Sequence, residues 1–266
     1  MRWALQHSVN GATVQIADKV GMSKIIDLAE KMGISTLVKK GYPNDENLAV
    51  SLGGLTHGTT PLDMASAYSV LANGGKRITP VAITKIVDRN GQILEENTLE
   101  EKRVISEKDA YVLTNMLQSV VNGGTGTGAN YGRPIAGKTG TTDDSKDAWF
   151  VGYSPNLSTA VWIGDDYGVE TLNGITGGSL PATIWREFMS STQASGSGNF
   201  TVPDGVQNLI SQGYQNPAPP EDKNKDKDKD KDKDKNKDKD KNTDKKEPDK
   251  KTNSKIGANA LVVLHV

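Results

Sequence analysis

Cysteine is absent from the 266 residues. That excludes disulfides and suits an exported bacterial chain, in which a stray thiol risks wrong pairing. Long apolar runs are missing as well. No stretch approaches the roughly 18 apolar residues of a membrane span, and Met1-Arg2-Trp3-Ala4-Leu5 does not open a signal peptide. Taken literally, the chain is soluble and cytosolic; taken as a fragment, it has lost whatever exported it. A basic excess is lacking too. Residues 221–255 hold 15 basic and 12 acidic side chains, so the chain's 32 and 33 fall to 17 and 21 in the body, a net charge near −4. Nucleic-acid binding, which needs a basic face, is excluded on that ground. Histidine is scarce, and His7, His57 and His265 have no metal-ligand spacing. Nothing in the composition calls for a cofactor.

What remains is one domain of about 190 residues and a tail. Helical signals dominate the first half. Ser23 is placed to cap a helix carrying Ile25, Ile26, Leu28, Ala29 and Met32 at a 3.6 period, with Gly33 as its stop. Thr60-Pro61-Leu62-Asp63 offers a capping threonine, a proline at the first helical position and an acid at the third. That helix is expected to run to Asn73 and end at Gly74-Gly75. Ser106 starts another, with Ala110, Leu113, Met116, Leu117 and Val120 on its buried face. Asn90-Gly91 marks a hairpin between residues 82–87 and 92–94. The second half turns to strands: 134–139, 149–153 and 157–163, the last two joined by Ser154-Pro155-Asn156. A helix over 181–190 presents Ile184, Trp185 and Phe188.

These signals divide the chain at 1–190 (folded domain), 191–220 (linker), 221–255 (Lys/Asp-rich tail) and 256–266 (apolar and unassigned). The tail cannot bury apolar surface and is expected to be disordered.

The sharpest chemical signal is Lys138-Thr139-Gly140, at the end of an apolar strand and followed by Thr141-Thr142. The tripeptide resembles the strand that lines one wall of the site in active-serine penicillin-recognising enzymes, which implies a lysine charge near the substrate's carboxylate, a threonine hydroxyl that bonds it and a glycine that lets the ligand lie against the strand edge. The alternative is an exposed lysine ending an edge strand. Ser8-Val9-Asn10 is a Ser-x-Asn motif, with a plain helix cap as its alternative. No serine has lysine three residues later, so a Ser-x-x-Lys nucleophile is lacking. Thr36-Leu37-Val38-Lys39 comes nearest and reads as surface. Gly123-Gly124-Thr125-Gly126-Thr127-Gly128 lacks the lysine of a phosphate loop and reads as a flexible turn. Asp143, Asp144 and Asp147 read as a solvated loop.

Taken in order, these segments resemble the transpeptidase domain of class A penicillin-binding proteins, the bifunctional peptidoglycan synthases. Residues 4–10 look like the family's Ser-x-Asn segment. Leu52-Gly53-Gly54-Leu55-Thr56 and Thr60-Pro61-Leu62-Asp63-Met64-Ala65-Ser66-Ala67-Tyr68 are similar to its helical signature. Residues 137–142 and Asp147-Ala148-Trp149-Phe150-Val151-Gly152-Tyr153 resemble its catalytic strand and hairpin partner. The resemblance covers residues 1–190. Charged C-terminal tails also occur in such proteins from Gram-positive bacteria.

The resemblance implies an α+β penicillin-binding, serine β-lactamase-like fold, an antiparallel sheet with a flanking helical subdomain. It implies a serine-type D-Ala-D-Ala transpeptidase that forms an acyl-serine on peptidoglycan stem peptides, binds β-lactam antibiotics and works at the outer face of the bacterial cytoplasmic membrane. Within it, Ser8 relays protons, Asn10 bonds substrate and the nucleophile's partner lysine, and Lys138 supplies field and relay. Thr139 holds the carboxylate, Gly140 clears the strand edge and the Thr141 N–H forms half an oxyanion hole. A D,D-carboxypeptidase and a non-catalytic wall-peptide-binding module are the alternatives. The family's Ser-x-x-Lys helix, two opening strands, glycosyltransferase domain and membrane anchor would all precede Met1, which is read as an internal start or a truncated gene. On that reading the chain is an inactive fragment, and its strand over 157–163 is expected to present an open, aggregation-prone edge.

Overall fold

The computed structural model describes residues 1–165, 167–168, 170–192, 198–207 and 260–265. The Lys/Asp-rich tail, and the disorder expected of it, lie outside the described residues. Six α-helices occur in the described residues: α1 (Arg2–Gln6), α2 (Asn10–Val20), α3 (Met22–Met32), α4 (Pro61–Ala72), α5 (Glu107–Gly123) and α6 (Leu180–Ser191). The strands are β1 (Lys76–Ile78), β2 (Lys85–Val87), β3 (Ile93–Glu96), β4 (Glu101–Arg103), β5 (Ala136–Thr141), β6 (Asp147–Tyr153), β7 (Leu157–Gly164) and β8 (Ala260–His265). β1, half-buried, pairs with the exposed β4, and β2 with β3 in an exposed ribbon, while β5-β6-β7-β8 form the main antiparallel sheet.

Capping chemistry sets the helix starts. The Thr60 hydroxyl accepts from the Asp63 N–H at 3.1 Å, and Ser106 does the same for Asp109 at 3.1 Å. Ser23 plays no such part. α3 begins one residue earlier, behind Gly21, whose φ of 90° turns the chain sharply out of α2. The hairpin at Asn90-Gly91 is narrower than the sequence suggested, because the Asp88 carboxylate accepts from the N–H groups of Asn90 and Gln92 at 2.8 Å and draws both into the loop.

The central strands β6 and β7 are buried on both faces, and successive rungs show how. Phe150↔Val161 points toward α6 and packs with Trp185, Met189 and Leu157. Val151↔Ala160 points the other way and packs with Ala65 of α4. This is the alternation a pleated strand imposes. Two buried bonds fasten the layers: Ser158 Oγ donates to Ala65 O at 2.8 Å, and Trp185 Nε1 donates to Thr159 O at 3.1 Å. A second cluster sets Leu5, Leu71 and Leu117 around Tyr153.

The open edge expected at residues 157–163 is not found. β8 lies antiparallel along it, from Leu157↔His265 to Trp162↔Ala260. The apolar run Ala260-Leu261-Val262-Val263-Leu264 is itself a good strand former, and it pairs the edge of β7 that the other described strands leave free. Ala260–His265, within the run unassigned on sequence, thus form a strand.

Candidate active site

Lys138 sits mid-strand in β5, paired with Val151 of β6. The pleat directs Lys138 and Gly140 to one face and Thr139 and Thr141 to the other. The Lys138 Nζ donates to Ser8 Oγ at 2.8 Å, across 130 residues of sequence, and to Thr139 O at 2.9 Å. Burial pulls the ammonium down from its usual range to about 8. The charged form therefore still predominates at neutral pH, while the proton comes within reach of a relay.

Ser8 reaches this lysine through an unusual backbone. Its φ is 55°, in the left-handed region that residues with a Cβ seldom enter. The Ser8 and Val9 N–H groups close α1 onto Leu5 O and Ala4 O, at 3.2 and 2.9 Å, holding the turn. α1 in turn is fixed to α5 by the Arg2 guanidinium, which donates to the Asn115 carbonyl and side-chain oxygen. Strain at one exposed serine, over-determined by a docked helix, is a common mark of a functional position. The helix-cap alternative for Ser8 and Asn10 does not hold, because α2 has Val9 at its N-cap and no side-chain capping bond. Asn10 is the exposed first residue of α2.

Thr139 is held from a direction the sequence did not reveal. Its hydroxyl lies 2.7 Å from that of Thr125. The Thr125 N–H also donates to Gln6 O at 3.2 Å, and a Cβ on Gly124 would stand 2.4 Å from that same oxygen. The glycine-rich stretch read as a flexible turn is therefore a close-packed bracket joining the Ser8 helix to the Lys138 strand. Its signal was the placement of glycines directly before that strand, where near contact forbids side chains.

A second bracket follows β7. Gly177 N donates to Thr141 Oγ1 at 3.0 Å, and a Cβ on Gly177 would come within 2.4 Å of Gly140 O. The threonine hydroxyls of β5 are thus both engaged by glycine loops, and the strand's last turn is fixed in place. Elsewhere, Asp147 accepts from Trp162 Nε1 at 2.9 Å, a bond between β6 and β7. Thr36 donates to Gly58 O at 2.7 Å and Lys39 pairs with Asp27 and Glu30, away from the Ser8–Lys138 contact.

A serine and a depressed lysine thus lie in contact, with a hydroxyl pair beside them and Gly140 leaving β5 without a side chain just beyond Lys138. The family described as penicillin binding protein transpeptidase domain matches residues 1–190. Penicillin-binding protein 1A of Aquifex aeolicus is 41% identical over 190 residues, covering 71% of this chain and 25% of that protein. PonA1 of Mycobacterium tuberculosis in complex with penicillin V superposes with a TM-score of 0.67 at 33% identity, covering 76% of this chain and 58% of that one. Penicillin-binding protein A of the same organism, an imipenem acyl-enzyme complex, gives a TM-score of 0.60 at 25% identity, over 71% and 47% of the two chains. The chain belongs to the penicillin-binding protein transpeptidase family, as the transpeptidase domain of class A, 1A-type members. It spans about a quarter of the length of the curated relatives it matches.

Proposed function

We propose that this chain carries the Ser-x-Asn and Lys-Thr-Gly half of a D,D-transpeptidase site that cross-links peptidoglycan at the outer face of the bacterial cytoplasmic membrane. One observation carries the proposal: the 2.8 Å contact between Ser8 Oγ and Lys138 Nζ. It joins two motifs that are unremarkable apart and places a titrating amine against a hydroxyl.

In the reaction, a serine hydroxyl attacks the penultimate D-Ala carbonyl of a stem peptide, and its proton passes to the departing D-Ala amine. Ser8 and Lys138 form the relay for that proton, because the lysine can hold or release it near neutral pH. Thr139, held by Thr125, bonds the terminal carboxylate. Gly140 leaves room for the substrate backbone along β5, and the Thr141 N–H stabilises the developing oxyanion. Asn10 steadies the substrate amide. An amine from a neighbouring strand then attacks the acyl-enzyme and regenerates the hydroxyl. β-Lactams enter as mimics of the dipeptide and remain as acyl adducts.

The attacking serine belongs to a Ser-x-x-Lys segment, and no serine in this sequence has that pattern. The isolated 266-residue chain is therefore expected to form no covalent adduct with fluorescent penicillin on a denaturing gel. A stable, denaturant-resistant adduct would place a nucleophile within these residues and overturn the assignment of Ser8 to a relay.

A further inference from the structure

α5 carries a stripe that takes no part in the core. Its buried face is Ala110, Thr114, Leu117, Val120 and Val121. Beside that face stand Asn115, Gln118, Ser119 and Asn122, spaced i, i+3, i+4 and i+7 and so on one side of the helix. α1 packs along this side and adds Arg2 and Gln6, again one turn apart. The six side chains line an open cleft of about 490 Å³, and among the described residues no acidic side chain lines it. Arg2 is committed to Asn115, whose carbonyl and side-chain oxygens it holds. Ser119 Oγ donates to Met116 O at 2.5 Å. The side-chain amides of Gln6, Gln118 and Asn122 make no hydrogen bond within the described residues, although Gln6 and Gln118 are half-buried. Half-buried polar groups are normally spent on the chain itself; here three free amides converge on one cleft. On the neighbouring face of α1, Trp3 and His7 stack with ring centroids 4.8 Å apart, and His7 is exposed.

We propose that the cleft between α1 and α5 is a saccharide-binding site whose ligand is the N-acetylated glycan strand of peptidoglycan; the choice of that glycan rests on the function proposed above. A carboxamide offers two donors and an acceptor in one plane. Three such groups and a hydroxyl match a chain of sugar hydroxyls and acetamido groups, which likewise donate and accept. An anion calls for donors alone, and the Arg2 guanidinium already serves Asn115. A peptide is matched less well, because its common modes of recognition use a sheet edge or an apolar groove, and this cleft runs between two helices under polar side chains. The Trp3–His7 stack adds a flat apolar surface for the carbon face of a sugar. The cleft adjoins the Ser8–Lys138 contact without sharing its residues. Gln6 precedes Ser8 by two residues, and its carbonyl accepts from the Thr125 N–H at 3.2 Å. Thr125 in turn bonds Thr139. A glycan held by α1 and α5 therefore passes close to where its own stem peptide enters, and holding it raises the local concentration of that peptide at β5.

The probe is a tetramer of N-acetylglucosamine, which carries no peptide, titrated into the full 266-residue chain and followed by NMR of the side-chain amides. The Gln6, Gln118 and Asn122 signals should shift together and saturate with one dissociation constant, about 1 mM for a site of a few neutral bonds. These parental shifts need no mutation and stand whether or not a variant folds. Gln118→Ala with Asn122→Ala, at helix positions where alanine is well tolerated, should weaken binding by about tenfold or more through the loss of two side-chain bonds, with the urea midpoint unchanged. An unchanged affinity in that variant, or no shift of these amides by the tetramer, would overturn the proposal. An unglycosylated stem pentapeptide that moves the same amides as far as the tetramer does would also overturn it, since the cleft would then be a peptide site. Failure of the transpeptidase reading shows elsewhere: the pentapeptide would leave the Lys138 and Thr139 signals unmoved, whatever the tetramer does at Gln118.

Discussion

Replacing Gly177 by alanine tests whether the loop after β7 is built against β5. An ideal Cβ at this position would stand 2.2 Å from Trp149 O, 2.4 Å from Gly140 O and 2.8 Å from Gly140 N. All three atoms are backbone, and Gly140 and Trp149 form one rung of the β5–β6 ladder. No side chain can rotate away. Either the rung opens by about 1 Å, or the loop withdraws and breaks the 3.0 Å bond from Gly177 N to Thr141 Oγ1. Overpacking of this kind costs about 1–3 kcal/mol, and the lost bond adds about 1 kcal/mol. Gly177→Ala should therefore destabilise by about 2–4 kcal/mol, which lowers Tm by about 5–15 °C in a domain of this size. Urea unfolding followed by the fluorescence of Trp3, Trp149, Trp162 and Trp185 measures it. Gly11→Ala is the control: its Cβ meets nothing within 4 Å and its backbone is helical, so stability should hold or rise by a few tenths of a kcal/mol. A Gly177→Ala protein within 0.5 kcal/mol of the parent would refute the close packing on which this site rests.

Lys138 should titrate near pH 8, two or more units below the ordinary lysine range, because burial disfavours its charged form. Amine-selective labelling against pH, read by peptide mass, should find it reactive well below the tail lysines; reactivity in step with them would refute the burial argument. Tyr153→Phe should cost about 1 kcal/mol in urea unfolding, since the 2.8 Å bond to Thr114 is lost while Thr114 keeps its bond to Ala110 O. Asp45 is fully buried and accepts from Val38 N, Thr56 N and Thr56 Oγ1, each at 2.7 Å. Burial alone would raise its carboxyl, but these bonds outweigh it and hold the group below the usual range. Its stabilisation is thus present above the unfolded pKa of about 3.9 and is lost as pH falls through the lower folded value. Asp45→Asn should destabilise by about 1–3 kcal/mol at pH 7 and flatten the stability profile on the acid side.

Periodicity and capping made the long elements legible. α4 and α5 begin where Thr60 and Ser106 predict, and β6 and β7 match their runs to within two residues. Shorter elements escaped because their reasons are tertiary. β1 and β4, three residues each, pair across 25 positions and carry no period of their own. The Lys138 motif and Ser8 could be found in sequence because the chemistry fixes residue type and order. Thr125 and Gly177 could not, since each acts through contact: one hydroxyl beside Thr139, one backbone against Gly140. The largest departure was β8. Pairing depends on which backbone edge is left free, and a six-residue apolar run does not state its partner.

The central claim is that Lys138, against Ser8, works in acyl transfer from a neighbouring serine. Joining residues 1–190 to the preceding transpeptidase residues of the Aquifex aeolicus relative, which is 41% identical over the shared region, would supply a Ser-x-x-Lys segment. The measurement is the rate of acylation by fluorescent penicillin with lysine and with alanine at position 138. The account predicts covalent labelling of the parent and a rate about 100- to 1,000-fold lower for Lys138→Ala, the usual cost of removing one preorganised group from such a site. Equal labelling rates for the two would contradict it.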